Sequence, residues 1–108
     1  MKEPIVAGRK FNAKESTDYA PGSVVSKTII KKATGTVTLF SFDAGEGLSE
    51  HSSPHEALVQ VLEGSVKITI GGEATLVAEG EGLILPANVP HALKAVERFK
   101  MLLTMIKG

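Results

Sequence analysis

From residue 24 onward the chain divides into short segments in which apolar and polar side chains alternate. Each is closed by Gly, Pro or Asn after roughly ten residues, the punctuation of strands joined by tight turns. The segment 65–70 is the clearest: Val66, Ile68 and Ile70 fall on one side and Ser65, Lys67 and Thr69 on the other, so one face is dry and one wet. Gly71 and Gly72 follow at once and the extended pattern resumes at Thr75, which predicts a β-hairpin whose turn needs positive φ. The same reading predicts nine strands: 23–31, 36–43, 48–53, 57–63, 65–70, 75–79, 82–85, 91–95 and 99–107. In Leu83–Leu85 and Met101–Ile106 both parities are apolar, predicting strands buried on two sides. The last segment is also short enough for a helix, but it carries no cap signal at its start, and strand is the better reading. Twenty-five residues are β-branched, and the spacing suits an all-β sandwich or barrel.

Residues 1–22 differ: Asn, Lys, Glu, Ser, Asp, Pro and Gly follow one another with little periodicity, giving an irregular arm that docks either on its own barrel or on a partner. Residues 23–108 then form a single barrel domain, in keeping with a length of 108 residues. Charge narrows the partners. Twelve basic and twelve acidic residues cancel, so neither a nucleic-acid surface nor a polyanionic tail is expected. No apolar run reaches the roughly 18 residues of a membrane span, and acid and proline near the start are unlike a signal peptide. With no cysteine, disulfides, thiolate nucleophiles and sulfur-ligated zinc are excluded, and the expectation is a cytoplasmic protein.

Only three histidines remain as candidate chemistry, His51, His55 and His91, and they fall in two stretches, 45–64 and 80–95. Gly45 is followed by five residues and then His51, and position 57 by six residues and then Gly64. In the second stretch Gly80 precedes Pro86 by five residues, and His91 stands beyond Asn88. These stretches resemble the two paired motifs of the cupin superfamily, and the chain is similar to its small, single-domain, RmlC-like members over residues 35 to 107. The resemblance implies a double-stranded β-helix, or jelly-roll β-barrel, and a homodimer. Asn88 stands where the family pattern has Gly, an exchange that a left-handed turn tolerates.

Cupins that bind a divalent metal use two histidines and an acidic residue of the first motif and the histidine of the second. Carried over position by position, His51 and His91 match, but Ser53 stands at the second histidine and Ala57 at the acidic residue. Two imidazoles alone hold a first-row ion loosely. His55 and Glu56 are the local substitutes, if a bend at Pro54 turns either inward. Ser53, Ala57, Phe40, Phe42, Met101 and Leu103 are expected to line the pocket, the aromatic and Met residues chiefly as barrel packing. The serines beside His51 lack the turn of a nucleophile elbow, so serine hydrolysis is not expected. Two functions follow from the resemblance. One is a barrel that binds a small molecule beside a reduced metal site, as a sensor or carrier. The other is a metal-dependent oxygenase, isomerase or lyase in which His51, His91 and a substitute ligand hold Fe, Mn, Ni, Cu or Zn. No catalytic residue can be assigned from the sequence.

Overall fold

The computed structural model describes residues 3–107; positions 1, 2 and 108, the outer ends of the expected arm and barrel, lie outside the described residues. Nine strands follow one another without a helix among the described residues: β1 (Val24–Lys32), β2 (Gly35–Phe42), β3 (Gly47–His51), β4 (Glu56–Glu63), β5 (Ser65–Ile70), β6 (Glu73–Ala78), β7 (Gly82–Leu85), β8 (His91–Ala95) and β9 (Phe99–Ile106). They form two antiparallel sheets, one ordered β1-β2-β9-β4-β7 and the other β3-β8-β5-β6, packed as a cupin-type jelly-roll barrel. Among the described residues no helix is long and apolar enough to cross a membrane.

Alternation places the core. Ala57, Val59 and Val61 of β4 and Val66 and Ile68 of β5 are buried, whereas Glu56, Gln60 and Lys67 between them are exposed. Gly71 and Gly72 join β5 to β6 with φ of 55° and 87°, both positive, as a two-residue primed turn requires. Two expectations need correction. The strand expected to run to Ser53 ends at His51, with a register shift between Leu48 and His51. The strands expected to be buried on two sides are not: Ile84 and Ile106 are 60% and 67% exposed, because no described residue covers the outer face of the sheet there.

The arm docks on its own barrel, across the outer face of the five-stranded sheet. Lys100 and Ser41 are directly paired on that face, and both are buried. The Lys100 ammonium donates to the carbonyls of Lys14 and Thr17 at 2.6 and 2.7 Å, and the hydroxyls of Thr17 and Ser41 share a hydrogen bond of 2.5 Å. Tyr19 donates to Glu63 at 2.5 Å, with the cationic groups of Arg98 and Lys100 near its ring face. Burial and then the Glu63 hydrogen bond push its phenol well above the usual range. Farther along, Lys27 donates to the Glu3 carbonyl, and the neighbouring outward residue Leu39 is almost fully covered. Asp43 closes the arm's end. Its carboxylate accepts from the Gly22 and Ala44 amides and from Arg98. The Gly22 amide first, then Arg98 and Ala44, hold this carboxyl below the ordinary range. Its contribution is therefore present above the ordinary carboxylate pKa and lost as pH falls through the lowered value.

Candidate functional site

Between the two sheets lies a cavity of about 50 Å³ lined by Leu48, His51, Ser53, His55, Ala57, Leu85, His91, Leu93, Met101, Leu103 and Met105. Each wall follows from strand pairing. His91, Leu93 and Ala95 alternate inward along β8 with Ala92 and Lys94 outward, so His91 is only 5% exposed. His51 pairs directly with His91 across β3 and β8. Leu48 and His51 have opposite parity, and a regular strand would turn one of them out. The irregularity between them lets both face the cavity. From the other sheet, Leu85 of β7, Ala57 of β4 and Met105 of β9 stand in one cross-strand row.

The two paired imidazoles meet edge to face, with ring centroids 4.5 Å apart. In each, Nδ1 lies against the carbonyl oxygen two residues earlier, Ser49 for His51 at 2.7 Å and Val89 for His91 at 3.2 Å. A carbonyl only accepts, so Nδ1 carries the proton in both rings. The lone pair of each neutral imidazole is then on Nε2. Backbone hydrogen bonds of this kind fix the tautomer of an imidazole that serves as acceptor or ligand. His51 is exposed and His91 buried, so the pair spans the boundary between solvent and interior.

Residues 52–55 lie outside the strands, where Pro54 is expected to break them. Ser53 organises this link: its hydroxyl accepts from the His55 amide at 3.2 Å and its carbonyl accepts from the Asn88 amide at 2.7 Å. Asn88 has φ of 63°, the left-handed turn at the family's glycine position. The link directs His55 toward the cavity and leaves Glu56 exposed on the outer face of β4, so Glu56 is not brought to the histidines. Phe40 and Phe42 do not line the cavity; they pack in the core, where Phe42 stacks on Phe99. Ser53, Ala57, Met101 and Leu103 do line it. Leu48, Leu85 and Leu93 join them without having been singled out from the sequence. Leu93 shares the parity of His91 and was legible, whereas Leu85 and Leu48 required the β4–β7 pairing and the β3 irregularity.

The residues present do not fit the divalent ion that the full motif would hold. Ser53 and Ala57 offer a hydroxyl and a methyl where the pattern has an imidazole and a carboxylate. Among the described residues no group of three or more His, Cys, Asp or Glu is arranged to hold a metal. A wider depression of about 450 Å³ lies on the outer face of the four-stranded sheet, between Lys67 and Lys94, but it contains no imidazole and is floored by small residues such as Gly47 and Ala92.

Residues 38–107 match the Cupin domain family, and the chain belongs to it. A conserved protein of unknown function from Streptococcus pyogenes is 36% identical, with a TM-score of 0.92 over 99% of this chain and 94% of that one. A cupin 2 conserved barrel domain protein from Leptotrichia buccalis is 43% identical, with a TM-score of 0.87; 90% of this chain is covered, and it spans 47% of that protein. A cupin superfamily protein from Desulfitobacterium hafniense shares the fold at 24% identity, with a TM-score of 0.91 over 100% of this chain and 99% of that one. No curated protein matches the chain.

Proposed function

We propose that this cupin is a binding module, a sensor or carrier whose small ligand enters the barrel at the His51–His91 pair beside a reduced metal site. The observation that carries the reading is the meeting of two imidazoles, each with Nε2 as acceptor, at a largely apolar cavity of about 50 Å³ whose other polar side chains are Ser53 and His55. That volume is far below the roughly 300–1,000 Å³ of pockets for drug-sized ligands, so the occupant is compact, a handful of heavy atoms at most. Untagged protein should contain well under one equivalent of Fe, Mn, Ni or Zn by elemental analysis. Compact probes such as imidazole or short alcohols should shift the imidazole and methionine-methyl NMR signals, with the response lost in His91→Ala. Probes that leave those signals unmoved would sink the reading. His55 beside the pair favours the alternative of a metal-dependent enzyme; near-stoichiometric divalent metal, lost in His55→Ala, would establish that alternative instead.

The same reading includes a second copy of the chain as partner. Across the five-stranded sheet the arm covers the outward rows at Ser41–Lys100 and Leu39–Leu102, but in the continuous cross-strand row Ile84, Leu58, Thr104, Val37 and Ile30 it leaves Ile84, Leu58 and Ile30 exposed and the two between them half-buried. Four of the five are apolar, and a row spanning every strand of a sheet suits a face-to-face contact. Sedimentation should show a dimer that Ile84→Glu converts to a monomer with unchanged circular dichroism; a wild-type monomer at tens of micromolar would refute it.

A further inference from the structure

The donors lining the cavity are not those of the full motif, and their chemistry is consistent. They are the imidazoles of His51, His55 and His91, the thioethers of Met101 and Met105, and the hydroxyl of Ser53; no Asp, Glu or Cys lines it. None is anionic. A divalent ion would bring two charges into surroundings of Leu48, Leu85, Leu93 and Leu103 with no carboxylate to compensate them, which is unfavourable. A soft monovalent ion brings one charge and prefers imidazole and thioether donors.

Strand register adds a second observation. Met105 is the direct cross-strand partner of Ala57, the position at which the motif would carry its carboxylate. Directly opposed residues on one face have Cβ atoms about 4.5–5.5 Å apart. The side chain missing at 57 therefore leaves its space to a thioether on three rotatable bonds, able to swing toward a bound ion. The cavity volume of about 50 Å³ suits an ion better than an extended organic ligand.

Resting on the pocket reading above, we propose that the occupant is monovalent copper, held by the Nε2 atoms of His51 and His91 and the sulfur of Met105, with Met101 as the second available thioether. The site is then a soft-cation centre in which a thioether takes the place of the motif's carboxylate.

The test uses the untagged, metal-stripped full chain. Under anaerobic conditions it should retain one Cu(I) per chain against bicinchoninate, and Ag(I), the redox-inert analogue, should shift the ε-methyl ¹³C signals of Met101 and Met105. Met105→Leu, a volume-conserving exchange that keeps the fold, should weaken Cu(I) at least tenfold, and the Met101→Leu/Met105→Leu pair further. Mn(II) and Zn(II) at equal concentration should not displace it. Failure to retain Cu(I), unchanged retention in the double methionine variant, or tighter retention of Zn(II) would each overturn the proposal. If Ag(I) leaves the methyl signals unmoved while a compact organic probe shifts them, the cation assignment fails and the pocket reading stands; if neither shifts them, both fail.

Discussion

Phe99→Ala should lower the unfolding free energy by about 3–5 kcal/mol, the range for removing a fully buried aromatic side chain. Phe99 is fully buried and pairs directly with Phe42 across β2 and β9. Their rings stack with centroids 4.5 Å apart and planes 15° from parallel. Truncation leaves a cavity at the junction of the two sheets, and the second ring loses its partner. Since a domain has only about 5–15 kcal/mol in total, the urea midpoint should fall by about a fifth or more with little change in slope. A loss under about 1.5 kcal/mol would mean that the site collapses around the smaller side chain. The stack also decides what Phe42 is for: it packs in the core and leaves the cavity wall to Leu, Met, His, Ser and Ala.

Gly64→Ala should be comparably damaging, by about 2–5 kcal/mol, through two separate causes. The residue has φ of 76°, a conformation costing about 1–2 kcal/mol for an L side chain. An added Cβ would also stand 2.0 Å from the Arg98 carbonyl oxygen and 2.9 Å from the Phe99 Cβ, neither of which can move without shifting backbone. Gly72→Ala separates the causes: its φ is 87°, but nothing lies within 4 Å of the added carbon, so only the conformational cost should appear. Equal losses in the two variants, measured by urea denaturation, would show that the β4–β5 joint yields without strain.

Much of the fold was legible because alternation survives wherever a strand has one dry and one wet face. β4, β5 and β8 show this, and the glycine pair at 71 and 72 announced its own turn. Ile84 was misread because it takes a neighbouring strand or a partner to say whether an apolar outward residue is covered. Met101–Ile106 was expected to be buried on two sides, but Ile106 is 67% exposed, because the arm from the other end of the chain covers only the Lys100 end of β9. At the candidate site, His51 and His91 were legible from spacing alone. The exclusion of Glu56 and the inward turn of His55 were not, since both depend on how residues 52–55 leave the β3 strand. Met105 was legible as packing, but its place opposite Ala57 needed the register of β4 against β9.

The irregularity between Leu48 and His51 decides how much change of chain length the site withstands. Substitution there changes one side chain at a time. Removing a single residue from 49–50 would instead erase the extra residue of β3 and leave Leu48 and His51 two positions apart, still on one face of a regular strand. The histidine pair therefore withstands the loss of that residue, whereas the same loss from a strand without a bulge would turn one of its two inward residues out.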